Sequence, residues 1–317
     1  MGLKAYVKLM RPHQWYKNLL VFIALIFAGV RADQPNRMFD YLNIESLTPL
    51  ILGFLAFCAI SSFGYIINDI ADRKEDAVHP EKRNRPIPSG EAKFSIAIIL
   101  AMVLFASGLV TSYILHPLFF LMVVLYIINS QFYNFYLRNW AIVDVASIAF
   151  GFILRAVSGT FLLHVPFTSW LIVGIFFFAL VLGFGKRYNE LQLLGDDAAD
   201  HKFVFTQYNR EILQQAIGAS STWVVMFYAL YTYQNFMDIM ADFPVMLTVP
   251  IAAGLMLRYV YLIYSGSPVG RKPHLAFKDK GIIVGTILFA FVFFLTLYYW
   301  VPLRDFILSL FPNIEWW

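Results

Sequence analysis

The chain has 317 residues, 60% of them hydrophobic, 18% aromatic and only 14% charged, against about 25% charged in an ordinary soluble domain. Together with a mean hydropathy of +0.66, this argues against a soluble globular protein. The formal charge of +4 fits basic loops facing anionic lipid and phosphorylated substrates rather than nucleic acid.

The apolar residues fall in long blocks, and 94–115, 171–184 and 282–300 carry no charge at all. About 20 mostly apolar residues cross the hydrocarbon of a bilayer. In chain order the blocks predict nine helices, near 17–31, 49–68, 94–115, 117–137, 141–163, 168–185, 213–234, 243–264 and 281–302. The first lacks an A-x-A-type cleavage site and is followed by others like it, so it reads as a span rather than a cleaved leader. Cys58, the single cysteine, sits in an apolar run and reads as a small core residue; no intramolecular disulfide can form.

Loop charge alternates along the chain. Lys4, Lys8, Arg11 and Lys17 precede or open the first span, and Arg73, Lys74, Lys82, Arg83, Arg85 and Lys93 fill the loop 69–93. On the same side fall Arg138, the loop 186–212 with Lys186, Arg187, Lys202 and Arg210, and the loop 265–280 with Arg271, Lys272, Lys278 and Lys280. Arg31, Arg37 and Arg304 lie on the other side. The positive-inside rule then places the N-terminus in the cytoplasm and the C-terminus outside, which requires an odd number of spans. The stretch 303–317, ending in Trp316 and Trp317, reads as an interfacial tail. The expected fold class is all-α: one polytopic helical bundle of about nine transmembrane helices over 1–317, in a plasma (inner) membrane.

Chemistry concentrates at 68–90, NDIADRKEDAVHPEKRNRPIPSG. Asn68, Asp72 and Asp76 are four apart and share one helical face, with Asp69 offset but close. Such a stripe of oxygen ligands repels itself unless a hard cation lies between its members. Mg²⁺ suits it, because that ion binds through one or two carboxylates plus substrate phosphates. Lys82, Arg83 and Arg85 follow at once, enough positive charge for a phosphate or diphosphate. A solvated mixed-charge loop is the bland alternative. Against it, the acids begin inside the end of an apolar helix, where charge is costly and usually functional. His79 has no second His or Cys at ligand spacing, so zinc is not expected.

The run N-D-x-x-D-x-x-x-D at 68–76, followed by H-P-x-K-R-x-R-P-I-x-S-G at 79–90, resembles the UbiA superfamily of intramembrane transferases. Nine helices with the N-terminus inside also match that fold. Arg-Pro-His-Gln-Trp-x-Lys-Asn at 11–18, Gly-Phe-x-Leu-Arg-Ala at 151–156 and Gly-Lys-Arg-Tyr-x-Glu-Leu at 185–191 make the chain most similar to the decaprenyl-phosphate phosphoribosyltransferase branch. The resemblance implies Mg²⁺-dependent transfer of a 5-phosphoribosyl group from 5-phosphoribosyl 1-diphosphate to a polyprenyl (decaprenyl-type) phosphate at the cytoplasmic face. Asn68, Asp72 and Asp76 would be the catalytic and metal-binding residues. Lys17, Asp69, Lys82, Arg83, Arg85, Arg138, Asp144, Arg155, Lys186, Arg187 and Glu190 would bind substrate. Asp144 and Arg155, eleven positions apart in one span, lie about 16 Å apart along a helix and cannot pair. Arg155 must face the bundle interior or a wet cavity, and Arg258 poses the same choice.

One departure matters. Where the superfamily carries a second acidic motif after the sixth helix, this chain reads GKRYNELQLLGDDAAD, with Glu190 the only acid near the membrane boundary. Asp196, Asp197 and Asp200 lie further on. Basic residues in place of acids favour a substrate richer in phosphate. Two alternatives stay open: a prenyltransferase acting on an aromatic or other acceptor, and, in a different class, a transporter. The charge cluster at one face and the lack of a repeat of 68–90 weigh against the transporter. Assembly as a homo-oligomer is left open.

Overall fold

Apolar blocks set the helices, and polar punctuation ends them. A computed structural model describes residues 3–25, 41–78, 82–166, 169–236 and 244–310. It contains α1 (Leu3–Met10), a 3-10 helix (Pro12–Phe22), α2 (Ile44–Ala71), α3 (Arg73–Val78), α4 (Phe94–Leu115), α5 (Pro117–Phe135), α6 (Val143–Leu163) and α7 (Ser169–Leu194). After these come α8 (Ala198–His201), α9 (Arg210–Phe236), α10 (Thr248–Tyr264), α11 (Lys280–Tyr298) and α12 (Trp300–Leu310). Short 3-10 turns join several of them, and no strand occurs among the described residues. Among the described residues six helices are long and apolar enough to cross a membrane, and the protein is an integral membrane protein. The interfacial tail expected at 303–317 is helical through Leu310; its last residues, 311–317, and the loop residues 79–81 with His79 lie outside the described set.

Local signals explain the boundaries. At the start of α2, Asn43 Oδ1 accepts the Ser46 N–H at 2.9 Å and Glu45 sits in the first turn, so the helix opens before the apolar block expected at 49–68. His116 ends α4 and caps α5, its Nδ1 accepting the Leu118 N–H at 3.1 Å with Pro117 as the first helical residue. The first expected span differs most. Its described start is a 3-10 helix rather than an α-helix, and 26–31 fall outside the described residues. The three-residue period puts Trp15, Asn18 and Val21 on one face. Trp15 Nε1 donates to Ser62 Oγ at 3.1 Å, and Asn18 and Val21 are buried.

The described residues up to 166 form one compact unit and those from 169 a second. In the first, α2 and α6 lie inside: 56% and 67% of their apolar windows are buried, against 17% for α4 and for α5, whose faces are left for lipid. Phe57 of α2 meets Phe119 and Tyr126 of α5 edge to face, each at 5.6 Å between centroids. Lipid tails are as apolar as Leu, so close packing through small residues holds such helices together. Gly159 is the sharpest case, since a Cβ there would stand 2.0 Å from the Val21 carbonyl oxygen.

In the second unit, Phe177 of α7 stacks on Trp223 and Phe227 of α9 at 5.7 and 5.6 Å. α7 runs past the expected end at 185, so Lys186, Arg187 and Glu190 sit on a helix and not in a loop. Contacts beyond the apolar block prolong it: Asn189 Nδ2 donates to the Ile263 carbonyl at 2.9 Å, and the Tyr188 ring meets Tyr264 edge to face.

The Gly159 contact yields a direct test. Gly159→Ala should lower the thermal midpoint in detergent by the cost of overpacking, about 1–3 kcal/mol. Gly174→Ala, whose Cβ meets no described atom within 4 Å, should leave the midpoint unchanged or slightly raised. Equal midpoints for the two variants would refute the close approach.

Candidate active site

In the first unit the acidic motif lies where α2 ends. Asp72 caps the helix, yet its N–H still donates to the Asn68 carbonyl (2.9 Å) and the Asp76 N–H to the Asp72 carbonyl (2.8 Å), so the four-residue spacing survives the junction with α3. The side chains divide into two groups. Asn68 Nδ2 donates to Asp72 Oδ2 at 3.1 Å, and Arg138 Nη1 stands 3.5 Å from the same oxygen. These three, with Asn134, Ile67, Ala71 and Phe135, line a cavity of about 160 Å³.

Asp69 and Asp76, 2% and 1% exposed, turn instead to arginines. Arg85 Nη1 donates to Asp76 Oδ2 at 2.5 Å and to Asp69 Oδ1 at 3.0 Å, while Arg11 Nη2 reaches Asp69 Oδ1 at 2.6 Å. Arg11 adopts a left-handed backbone (φ 51°) immediately before Pro12, a strain of about 1–2 kcal/mol, and its guanidinium lies over the Tyr65 ring. The loop carrying Arg85 is tied down from α1 as well. Lys8 Nζ donates to the Asn84 carbonyl at 3.2 Å, and the Lys93 N–H donates to Tyr6 Oη at 3.2 Å. Arg83 is exposed on that loop, and the Lys82 side chain lies outside the described set.

Asn68, Asp72 and Asp76 were expected to form one ligand set. Among the described residues no three of His, Cys, Asp and Glu come together at metal-holding separations. Asn68 and Asp72 alone still suit Mg²⁺, which takes one or two carboxylates and completes its shell with phosphate oxygens and water. The cavity beside them, with Arg138 on its wall, has room for those oxygens.

Deeper in this unit Arg155 is 5% exposed. Its Nε donates to Asn18 Oδ1 (2.8 Å), Nη1 to the Gly151 carbonyl (2.9 Å) and Nη2 to Tyr126 Oη (2.6 Å), and its guanidinium lies 4.3 Å from the centre of the Tyr126 ring. The cation therefore ties the 3-10 helix, α5 and α6 together through neutral groups, and it does not pair with Asp144, which is fully buried in the first turn of α6. Lys17 is half-buried beside Asn18 on the 3-10 helix. Cys58 is buried as expected, and Asn18 Nδ2 lies 3.4 Å from its Sγ.

In the second unit three cations converge on Glu190. Lys202 Nζ is at 2.7 Å, Arg187 Nη1 at 3.0 Å and Lys186 Nζ at 3.9 Å. The buried Phe205 ring lies near both Arg187 and Lys202. Burial lowers the Lys202 ammonium to about 8, with Arg187 and Lys186 pushing the same way against Glu190. Arg258 has a structural role: Nε and Nη2 grip Asp279 at 3.1 and 2.9 Å, and Asp279 Oδ1 also accepts the Ile282 N–H that opens α11. The Arg258 hydrogen bond, then that backbone N–H, hold the Asp279 carboxyl at about 2.

Sequence reasoning named Asn68, Asp72, Arg85, Arg138, Arg187 and Glu190, and the structure gives each a charged or hydrogen-bonded partner at these clusters. Sequence reasoning weighed Arg11 between lipid anchoring and phosphate binding, and gave Asn18 and Lys202 no role in the site. Arg11 and Asn18 lie inside the quoted motif 11–18, and Lys202, eight residues beyond α7, was read only as one of the basic residues of the loop 186–212.

These features define a polytopic helical membrane protein with an acid–amide pair at a helix end. Residues 38–278 match the UbiA prenyltransferase family, and the chain belongs to that family. Its relatives include the decaprenyl-phosphate phosphoribosyltransferases of Mycobacterium tuberculosis, 32% identical over 72% of this chain and 74% of that protein, and of Corynebacterium glutamicum, 28% identical over 92% and 86%. A UbiA homolog from Archaeoglobus fulgidus, solved bound to GPP and Mg²⁺, shares the fold with a TM-score of 0.66 at 19% identity, over 91% of this chain and 98% of that one.

Removing the shared cation exposes how the motif is held. Arg85→Gln should leave Asp69 and Asp76 buried with too little counter-charge and cost about 3 kcal/mol of stability. Adding Asp76→Asn should recover much of that loss in a double-mutant cycle read by thermal unfolding. Additive losses would show that Arg85 and Asp76 do not depend on each other.

Proposed function

We propose that this enzyme transfers a 5-phosphoribosyl group from 5-phosphoribosyl 1-diphosphate to a polyprenyl phosphate and releases diphosphate, with Mg²⁺ as cofactor. The observation that carries the reading is the cavity lined by Asn68, Asp72 and Arg138 at the end of a membrane-length helix. The names and coverage of the mycobacterial and corynebacterial relatives support the choice of donor and acceptor.

In this reading Asn68 and Asp72 hold the metal, and Asp76 joins them only by leaving Arg85. A Mg²⁺ ion held by Asn68 and Asp72 would supply positive charge against the diphosphate leaving group. Arg138 faces the same cavity, and Arg85 with Arg83 and Lys82 brings further positive charge to the diphosphate. Asp69 acts through Arg11 and Arg85, which it holds in place. Arg155 fixes Asn18 and with it the neighbouring Lys17, and Asp144 lies buried in the first turn of α6. Lys186, Arg187 and Glu190 contribute to donor binding.

A phosphate oxygen of the lipid attacks C1 of the ribose as the C1–O bond to diphosphate breaks, and the bonding pair leaves with the diphosphate. The lipid phosphate is anionic at neutral pH, so no strong general base is required. Positioning and electrostatic stabilisation carry the catalysis. Attack opposite the leaving group inverts C1. We further propose nine spans, an N-terminus in the cytoplasm and a site facing the cytoplasm, on the strength of the basic loops.

A prenyltransferase acting from a prenyl diphosphate is the second reading. It uses the same metal–diphosphate chemistry, and the A. fulgidus homolog was solved with such a ligand. The single acid among three cations at Glu190 favours a more phosphorylated donor.

A transfer assay in detergent separates the two. Radiolabelled 5-phosphoribosyl 1-diphosphate with a polyprenyl phosphate should give label in the lipid fraction only when Mg²⁺ is present, and Asp72→Ala should reduce the rate at least about 100-fold, as loss of a main electrostatic stabiliser does. Turnover of a prenyl diphosphate instead would assign the protein to the second reading.

A further inference from the structure

The polar residues on the wall of the cavity at the end of α2 come as two pairs. Asn68 and Asp72 belong to α2, Asn134 to the last turn of α5, and Arg138 to the 3-10 turn after it (Leu137–Asn139). Three of the four are engaged with one another: Asn68 Nδ2 donates to Asp72 Oδ2 at 3.1 Å, and Arg138 Nη1 stands 3.5 Å from that oxygen. The half-buried Asn134 side chain, by contrast, hydrogen-bonds to none of the described groups. An amide withdrawn from bulk water is costly unless a ligand or ordered water takes up its two donors and its acceptor.

Position narrows the ligand. Both helices end at the cavity, so each amide lies about 5 Å, one helical turn, further from the helix end than the charged residue four places on. The charged pair marks the layer for phosphate oxygens, and the amides mark the layer behind it. One turn further in, α2 and α5 close on each other, since a Cβ on Gly64 would lie 3.6 Å from Ser130 Oγ. The amide layer is therefore the floor of the cavity between these two helices. A lipid acceptor requires the transferred group to lie between the diphosphate and the bilayer, which is that layer.

We infer that Asn134 is a specificity-determining residue that hydrogen-bonds a hydroxyl of the ribosyl group and so selects a hydroxylated donor over a prenyl diphosphate. The inference rests on the phosphoribosyl reading of this cavity. A sugar hydroxyl both donates and accepts, as a primary amide does, whereas a phosphate oxygen or a metal ion uses only one side of the amide. A prenyl group uses neither. Ile67, Ala71 and Phe135 offer apolar contact that suits either transferred group, so the amide is what tells them apart. A site built to pair with a hydroxyl rejects a ligand lacking it, because its own polar group is then left unpaired.

The test uses the full protein in detergent with Mg²⁺ and no acceptor. Calorimetry measures binding of 5-phosphoribosyl 1-diphosphate, its 2-deoxy and 3-deoxy forms, inorganic diphosphate and geranyl diphosphate to the wild type, Asn134→Leu and Asn134→Ser. Thermal midpoints check that the variants fold, as a side chain with no hydrogen bond to the rest of the protein should allow. The wild type should bind the full donor about tenfold more tightly than one of the deoxy forms, the value of one hydrogen bond. Asn134→Leu should weaken the full donor by the same factor and bind it and that deoxy form alike. Asn134→Ser, which keeps a hydroxyl, should restore part of the loss. Inorganic diphosphate should bind all three proteins equally, and geranyl diphosphate should bind Asn134→Leu more tightly than the wild type.

An Asn134→Leu variant that binds the full donor as the wild type does, or that loses inorganic diphosphate to the same degree, overturns the inference. If such a protein still transfers phosphoribosyl groups to a polyprenyl phosphate, the function stands without it. A wild type that binds geranyl diphosphate and not the phosphoribosyl donor overturns the function and the inference together.

Discussion

Everything on the polar side of the first unit hangs on one buried carboxylate. Asp69 accepts from Arg11 at 2.6 Å and from Arg85 at 3.0 Å while only 2% exposed. A carboxylate so placed is strongly destabilising without cations, because its desolvation in a low-dielectric setting costs several kcal/mol. Its two partners come from opposite directions along the chain: Arg11 opens the 3-10 helix, and Arg85 belongs to the basic loop. The pair of contacts fastens both segments to the end of α2. They also explain why Arg11 tolerates a left-handed backbone that only surrounding structure can enforce. The same clamp leaves Asn68 and Asp72 facing the cavity with Arg138, apart from the buried acids.

Charge inside an apolar bundle is used in three distinct ways here. Arg155 is enclosed by neutral acceptors and joins three elements, so its guanidinium serves as a strut with many donors. Arg258 grips the residue that caps α11 and so fixes a helix start. Arg187 sits buried against Glu190 and Phe205, and Lys202 reaches the same carboxylate. Arg258 is partly exposed where Arg155 and Arg187 are buried, and the partners give each its role.

Much of this was legible in the sequence. Long apolar blocks placed α4, α5 and α6 closely, since a break such as His116-Pro117 leaves little choice of boundary. The four-residue spacing of Asn68, Asp72 and Asp76 survived in the backbone. Their division did not show, because it depends on Arg85 folding back from sixteen residues after Asp69. The end of α7 was missed for a related reason: Tyr188 and Asn189 are polar by type but pack on α10, Arg187 is buried near Phe205, and only tertiary contact prolongs the helix. The 3-10 winding of Pro12–Phe22 follows from pairing Trp15 and Asn18 with Ser62, Ser61 and Arg155, which no local propensity encodes. Lys202 illustrates the limit most plainly, since its place beside Glu190 is set by the turn and short helix between them.

The central claim is that Asn68 and Asp72 hold a divalent cation together with diphosphate. Titration of Mn²⁺ followed by electron paramagnetic resonance, with and without diphosphate, tests it directly. The account predicts binding that tightens when diphosphate is added, is lost in Asp72→Asn and is retained in Glu190→Gln. Mn²⁺ binding indifferent to Asp72→Asn would contradict it.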